Sequence, residues 1–177
     1  MPALAVLSTG PVLSTGEASV PIYMQYGDLL GDVTEATHTN WIELTSVNWG
    51  VNRPVSNPAG SATARVVSAP RFSELVVVKD EDNVTIPLIQ ESLGGEPKLV
   101  KIDFVRTNQD RMEVYYSIQL TETLITGLSQ GSGGDRPTES LTLNFTQISF
   151  HGTQMDADGS STSPANYGWN VTNNAPA

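Results

Sequence analysis

The sequence predicts a mainly β fold, a sandwich or a barrel, with a single helix. Apolar and polar residues alternate over much of the chain from Val20 onward, as they do in half-buried strands. Turn-forming residues, 15 glycines and 11 prolines among 177 residues, separate these segments. Only one stretch has the periodicity of a helix. Many short strands around one helix are typical of a β-sandwich or β-barrel.

Strands are predicted where apolar residues recur at every second position. This period covers residues 20–26, 100–104 and 112–120, the last with five consecutive apolar positions on one face. Leu75–Val78 is instead a continuous apolar run, which is typical of a strand covered on both faces. These four segments are the predicted centre of the sheet structure.

Two further strands change the phase of their apolar pattern midway. Ile42 and Leu44 share one face, whereas Val47 and Trp49 share the other, and the strand at 139–150 changes in the same way. Such a change indicates a β-bulge at a barrel corner, or a strand buried on both faces, one of them by a partner. The sequence leaves both alternatives open.

The predicted helix begins at Pro87, because proline is favoured at the first helical position. Gly94 and Gly95 are expected to end it with a left-handed residue. Its apolar face is expected to carry Leu88, Ile89, Ser92 and Leu93.

The remaining segments are predicted to be irregular. Residues 1–19 form an N-terminal arm, either flexible or ordered against a neighbouring subunit, and residues 20–177 form one domain. Three loops, at 50–70, 131–137 and 152–164, are rich in glycine, proline and polar residues. Long loops in a compact domain are usually functional or disordered.

Composition excludes several classes of function. The chain has 9 Lys and Arg against 19 Asp and Glu, a net charge of −10, which disfavours nucleic acids and anionic membranes. It lacks cysteine, which excludes disulfides, thiol catalysis and cysteine-bound zinc. The first residues lack the basic region of a signal peptide, and no later stretch has the 18 apolar residues of a membrane span. Neither signal-peptide export nor membrane insertion is expected.

The residues give no convincing active site. His38 and His151 are both interpreted as surface residues, and neither accompanies a Gly-x-Ser-x-Gly elbow. The acidic run 80–82 is interpreted as solvated charge before the helix. The Asp156–Gly159 segment resembles the start of a calcium loop but lacks the acidic residue at the twelfth position. We therefore expect no catalytic, cofactor or metal site and no enzyme; a small β-barrel hydrolase is the unfavoured alternative from another class.

Several distinctive segments follow one another in order along residues 20–175. The most specific is Gly133–Pro137 (Gly-Gly-Asp-Arg-Pro) followed by Glu139–Phe145. The others are Ile22–Asp28, Gly31–Thr34, Trp41–Leu44, Val47–Val51, Ser73–Leu75, Val78–Asp80, Gln90–Gly95 and Gly168–Ala175. Together these segments resemble the Hcp family of bacterial type VI secretion. The arm 1–19 and the loop 152–164 depart from the family pattern, so no role is assigned to them by resemblance.

The resemblance implies a small antiparallel β-barrel with one flanking helix that assembles as a hexameric ring. Rings of this family stack into a tube, which a contractile sheath expels behind a spike, and small effector proteins travel in the lumen. The implied partners are copies of the chain itself, the spike, sheath and baseplate, and effector cargo. The implied route leads from the bacterial cytoplasm to the outside without a signal peptide. A tail-tube protein of a phage-like contractile particle is the same-class alternative.

Two segments yield specific expectations. The loop 50–70 is expected to reach the next ring, with Arg53 and Arg65 contacting an acidic face; a solvated loop with scattered cations is the alternative. Gly133–Pro137 is expected to form a tight turn between two strands, with Gly134 at positive φ. The alternative there is that Asp135 and Arg136 bind a partner.

Overall fold

A computed structural model describes residues 20–56, 65–108, 111–155 and 161–177. These residues form mainly β structure with one helix, which confirms the predicted class. In chain order the elements are β1 (Ile22–Tyr26), β2 (Ile42–Leu44), β3 (Ser46–Asn48), β4 (Val51–Asn52), β5 (Val55–Ser56), β6 (Val66–Val67), β7 (Arg71–Phe72), β8 (Leu75–Asp80), α1 (Thr85–Gly94), β9 (Lys98–Asn108), β10 (Arg111–Gly131), β11 (Thr138–Asn144), β12 (Gln147–Met155), β13 (Ser161–Asn170) and β14 (Ala175–Pro176).

The strand β10 belongs to both of the large sheets and joins them. Its first part pairs with β9 on one side and β12 on the other, and its last part, from Leu124, pairs with β11. Between these parts the register shifts, and Glu122 adopts a φ of 50°. This local irregularity bends the strand. One sheet has the order β2-β1-β9-β10-β12-β13-β14, the other β10-β11-β8-β3, and the pairs are antiparallel.

The expected small β-barrel differs from the structure in one respect: among the described residues the hydrogen-bonded sheet is not closed. Along the chain β2 and β3 are separated only by Thr45, yet β2 pairs with β1 while β3 pairs with β8. The backbone N–H of Thr45 donates to the carbonyl of Val78 at 2.8 Å. The chain bends here from one sheet to the other, which interrupts the ladder.

Both changes of apolar phase occur where the chain passes between the sheets. One is at Thr45, and the other is at Phe145 and Thr146, between β11 and β12. Leu143 is buried before the second bend and Ile148 after it. Because the chain turns at these points, the side chains that face the core switch between even-numbered and odd-numbered positions. Each change of phase is therefore a change of sheet rather than a β-bulge.

A single apolar core lies between the two sheets and helix α1. Met24, Ile102, Ile118, Leu141 and Leu88 are among its fully buried members. Burial of each such side chain stabilises the folded state by about 1.5–3 kcal/mol. The predicted inner faces of β1, β9 and β10 are the faces that the structure buries.

Helix α1 differs from its prediction at both ends. It begins at Thr85, so Pro87 lies in the first turn but not at the first position. Leu88 is fully buried, whereas Leu93 is 82% exposed and does not belong to the buried face. Gly95 is extended, with φ −71° and ψ 158°, rather than left-handed. Glycine is required there because a Cβ atom would lie 2.7 Å from the carbonyl oxygen of Glu91.

In the parts that the structure describes, two of the three predicted loops contain paired strands. In the 50–70 segment β4 pairs with β7 and β5 with β6, and at 152–164 β12 pairs with β13 as far as Met155 and Ser161. Their prediction as loops was wrong for these described residues, because their sequences lack an apolar period. The N-terminal arm 1–19 and the Asp156–Gly159 segment lie outside the described residues.

Candidate functional site

The candidate site is a two-stranded ribbon, defined as residues 51–56 and 65–72, that continues the β3–β8 hairpin. In this ribbon β4 pairs with β7 and β5 pairs with β6. The backbone N–H of Ser68 also donates to the carbonyl of Pro54, and that of Ser73 to the carbonyl of Gly50, each at 2.9 Å. At about 3.3 Å per residue, the backbone from Asn48 to Ser56 spans up to about 26 Å. The ribbon therefore reaches beyond the sheet that carries it.

The described part of the ribbon exposes apolar side chains. Val51, Val55, Val66 and Val67 are each about half exposed, between 45% and 55%. An isolated two-stranded ribbon is marginally stable in water, and contiguous exposed apolar side chains mark interaction surfaces. These valines are suited to contact with another protein surface.

The ribbon is also the cationic region of an acidic chain. Residues 50–73 contain three of the nine basic residues, Arg53, Arg65 and Arg71, and none of the 19 acidic ones. Arg53 donates from Nε to the carbonyl of Ser68 at 3.2 Å, which holds its guanidinium across the strand pair. Arg65 and Arg71 are exposed. The two arginines predicted from sequence thus lie on one ribbon, Arg53 between its two strand pairs and Arg65 next to β6.

Aromatic packing attaches the base of the ribbon to the body. Trp49 lies with its ring centroid 4.8 Å from Phe150 and 6.2 Å from Phe72, and Phe72 lies 6.4 Å from Trp169. These rings add apolar area and ring–ring contacts at the edge of the core. The base of the ribbon is therefore held in place by the same packing that closes this end of the core.

Two clefts elsewhere on the molecule are acidic. One, of about 410 Å³, is lined by residues that include Asp32, Glu43 and Asp80, together with Arg136. The other, of about 400 Å³, shares Asp32 and Glu43 and adds Glu35. The molecule therefore presents a cationic surface and a separate anionic surface, as a chain that binds copies of itself through two different patches would.

The 131–137 segment is a tight turn between β10 and β11, as its structural interpretation predicts. Ser132 donates from Oγ to the carbonyl of Asp135 at 2.7 Å, and the N–H of Gly134 donates to the same Oγ at 3.3 Å. Gly134 has a φ of 110°, which confirms the predicted positive value. The serine hydroxyl was not identified from sequence. Arg136 is exposed and lines the larger acidic cleft.

The surface interpretation of His38 is wrong, since the residue is only 3% exposed. Its Nδ1 lies 2.8 Å from Glu35 Oε2 and its Nε2 lies 3.1 Å from Asp103 Oδ2. Tyr23 and Trp41 cover the ring, with centroids at 4.9 and 4.7 Å. Residues 27–41 fold over the outer face of β1 and β9, so that the outward-facing side chains of these strands form a second, polar interior.

Hydrogen bonds control the charge of Glu35 in this cluster. Partial burial alone would raise its pKa, but donors lower it to about 2 from 4.5. These donors are the side chain and backbone N–H of Thr37 and the imidazole of His38. Glu35 is therefore a carboxylate throughout the neutral range.

The solvated interpretation of residues 80–82 is wrong for Asp82, whose side chain is 5% exposed. Lys79, which is fully buried, donates from Nζ to Asp82 Oδ1 at 2.7 Å, to Glu139 Oε2 at 2.9 Å and to the carbonyl of Asp80 at 2.7 Å. Gln130 donates to the other oxygen of Glu139 at 2.9 Å. The cluster joins β8 to β11, where Lys79 and Glu139 are direct cross-strand partners.

Neither histidine is arranged for nucleophilic catalysis. His151 is exposed, as predicted, and lies 3.1 Å from the side-chain oxygen of Asn166. Ser117 donates to Asp103 Oδ1 at 2.6 Å, so the carboxylate separates the hydroxyl from His38. In a hydrolytic triad the imidazole must contact the hydroxyl directly to accept its proton. This geometry does not support the hydrolase alternative.

The acidic residues form no metal-binding set within the ranges described: no group of three or more His, Cys, Asp or Glu there could hold an ion. Helix α1, with ten residues, is too short to cross a membrane, and the described residues contain no helix that could.

Comparison with known proteins identifies the class to which this fold and surface belong. A family model described as type VI secretion system effector, Hcp, matches residues 23–151. Protein hcp1 of Pseudomonas aeruginosa is 29% identical over 163 residues, which cover 90% of this chain and 99% of the relative.

Solved structures show the same fold. A structure of a type six secretion system protein superposes with a TM-score of 0.81 at 18% identity, covering 90% of this chain and all of the other. Hcp1 from Salmonella typhimurium superposes with a TM-score of 0.71 at 16% identity, and the match covers 89% of this chain and 98% of Hcp1.

The protein is thus a component of type VI secretion, a class in which β-rich subunits build a secreted tube. Within that class the chain belongs to the Hcp family and is a tube component, secreted through the type VI system, as the sequence resemblance implied.

Proposed function

We propose that this chain is a non-catalytic tube subunit that forms homohexameric rings, and that the ribbon carrying Arg53 and Arg65 joins one ring to the next. The observation that carries the proposal is the ribbon itself. It is anchored at its base by Trp49 and Phe72 but exposes valines and arginines along its length. These side chains need a complementary surface to become buried.

The acidic remainder of the chain supplies that complementary surface. In a heterologous contact, one patch of a subunit meets a different patch on its neighbour, and such contacts generate rings or linear stacks. The ribbon and the clefts around Asp32 and Glu43 are two such patches of opposite charge. Charge complementarity fixes the register of the stack, while the valines contribute apolar contact area.

The proposed route and partners follow from family membership. The subunit assembles in the bacterial cytoplasm and leaves through the type VI machine without a signal peptide. In this proposal the tube contacts a spike, a sheath and a baseplate, and its lumen carries small effector proteins.

Mass measurement tests the ring. Multi-angle light scattering at micromolar concentration should give about 113 kDa, six times the chain mass of 18.9 kDa. Negative-stain images should show closed rings. A mass of one chain that persists across concentrations would contradict the proposed hexamer.

Charge reversal tests the ribbon. The double variant Arg53→Glu and Arg65→Glu should shorten or abolish stacks while leaving single rings intact, because the changed residues project away from the core. The double variant Arg53→Lys and Arg65→Lys is the matched control, since it changes the same two side chains and keeps their charge. Higher salt should weaken wild-type stacking, because contacts between exposed charges are screened. Unchanged stacking, or dissociation of the rings themselves, would refute the assignment of the ribbon.

A further inference from the structure

We propose that the N-terminal arm binds the outer face of helix α1 in the same subunit, through residues 3–13, and covers the aliphatic side chains that this face exposes. The outer face is defined as Ile86 and Leu93 of α1 together with Leu30, which lies beside the start of the helix. The contact is made within one subunit, so it does not rest on the proposed ring or on the ribbon.

The outer face of α1 is apolar although it points into solvent. Leu93, Leu30 and Ile86 are 82%, 66% and 62% exposed, more than any other large hydrophobic side chain that the structure describes. Ile86 and Leu93 are two helical turns apart and therefore lie on the same side, about 10 Å from each other. The side-chain nitrogen of Asn83 donates to the carbonyl of Leu30 at 3.2 Å, which holds Leu30 next to this side.

Helix α1 is thus apolar on two sides, because Leu88 on its inner side is fully buried in the core. A helix that is apolar on the solvent side as well is typical of a helix that another element covers. Contiguous exposed aliphatic side chains likewise mark a surface that binds a protein segment.

The arm has the composition of a segment that binds such a surface. Ala3–Leu7 is a continuous apolar stretch, Val12 and Leu13 form a second, and the only charged side chain among residues 1–19 is Glu17. Segments that stay solvated are instead rich in charge and poor in aliphatic residues. Both apolar stretches can be buried without removing a charged group from water.

The arm joins the body next to the outer face. Val20, the first described residue, lines the larger acidic cleft together with Asp82. The N–H of Asp82 donates to Oγ1 of Thr85, the first residue of α1, at 3.1 Å. At about 3.3 Å per residue, the chain from Leu13 to Val20 spans up to about 23 Å. The arm is therefore long enough to reach the whole outer face.

Charge and attachment favour the arm over the body of a second copy as the occupant. The carboxylates of Asp28 and Glu91 lie near the end of α1, each 3.5 Å from Lys98, and Glu96 follows the helix. A second copy, with a net charge of −10, would approach these carboxylates against repulsion. The arm adds one carboxylate, and its attachment gives it a local concentration on the order of millimolar.

Amide hydrogen exchange of the full chain, read by mass spectrometry, tests the contact. Peptides from residues 3–13 should exchange at least about tenfold more slowly than their intrinsic rates, because a bound segment exchanges only when it opens. The double variant Ile86→Asp and Leu93→Asp should restore the intrinsic rates, since it places charges in the apolar contact. Leu124→Asp with Tyr167→Asp is the matched control, because it changes two exposed apolar side chains on β10 and β13 and should preserve the protection.

Disulfide trapping tests which subunit the arm covers. The chain lacks cysteine, so Leu7→Cys with Leu93→Cys introduces the only two thiols. Mild oxidation should join them within one chain, and the denatured product should keep the mass of one chain, 18.9 kDa. The pair Leu7→Cys with Tyr167→Cys should form its disulfide at least about tenfold more slowly, as a pair that collides only at random.

Four results would overturn the proposal. Exchange of residues 3–13 at intrinsic rates in the wild type would do so without any variant, as would protection that persists in Ile86→Asp with Leu93→Asp. Disulfides between chains, seen as a product of twice the mass, would place the arm on a neighbouring copy. Lost stacking with unchanged arm protection in the double aspartate variant would assign the outer face to the ribbon of a second copy. Light scattering of the same samples reports on the hexamer separately, so failure of the ring and failure of the arm contact are distinguishable.

Discussion

Replacing Lys79 with methionine should strongly destabilise the subunit, although methionine resembles the unbranched apolar part of the lysine side chain. Lys79 is fully buried and its ammonium group makes three contacts of 2.7–2.9 Å. Without it, the carboxylates of Glu139 and Asp82, 1% and 5% exposed, remain in the interior uncompensated. Removing one partner of a buried ion pair costs about 3–5 kcal/mol.

Urea denaturation followed by circular dichroism measures this loss. The free energy of unfolding of a domain is about 5–15 kcal/mol in total. The urea concentration at the unfolding midpoint should therefore fall markedly, while the dependence of the unfolding free energy on urea stays unchanged. For a chain of this size the melting temperature should fall by about 6–20 °C. Wild type and variant must be compared at one protein concentration, because subunit association also stabilises the fold.

Two additional variants distinguish lost charge balance from lost packing. Lys98→Met removes a lysine whose ion pairs are longer, at 3.5 Å, one of them with the exposed Asp28, and it should cost much less. Adding Glu139→Gln to Lys79→Met should restore part of the stability, because one of the two buried negative charges is removed. If Lys79→Met costs no more than Lys98→Met, or if Glu139→Gln restores nothing, the argument from buried charge is wrong.

Two further predictions concern backbone strain and pH. Gly134→Val should lower the free energy of unfolding by about 1–3 kcal/mol because a β-branched residue is strained at φ 110°. In the same urea assay Gly133→Val and Arg136→Ala should cost less; equal losses for the two glycines would contradict this. Burial first, and then Glu91, raise the pKa of Tyr26 to about 12, so stability should fall as the pH rises from 10 toward 12. Tyr26→Phe should flatten that decrease, and an unchanged decrease would exclude Tyr26 as its source.

The buried ion pair between Lys79 and Glu139 has a sequence signal that can be recognised in retrospect. Leu75, Val77 and Lys79 share one face of β8, and Glu139, Leu141 and Leu143 share one face of β11. Each row is buried, so the charged residue at its end is buried too. A lysine and a glutamate in register with apolar rows predict a buried ion pair. The predicted solvation of Asp82 overlooked this requirement for compensation.

The ribbon was only partly predictable. The concentration of arginines in 50–73 is visible in the sequence, and it marked Arg53 and Arg65 as candidates for self-assembly. Whether they act in assembly remains a prediction. The strands of the ribbon were not predicted, because their side chains are exposed on both faces and show no alternation. Their pairing depends on the β3–β8 hairpin that the ribbon continues.

The sequence by itself determined the inner faces of β1, β9 and β10, the single helix, the positive φ of Gly134 and the family. These features depend on local side-chain periodicity, on the conformational freedom of glycine, or on ordered motifs. Tertiary structure alone decided where the chain passes between sheets and which polar residues are buried. His38 meets Asp103 across 65 positions and Lys79 meets Glu139 across 60. Burial of a polar side chain depends on the distant groups that cover and compensate it, and local sequence does not specify those groups.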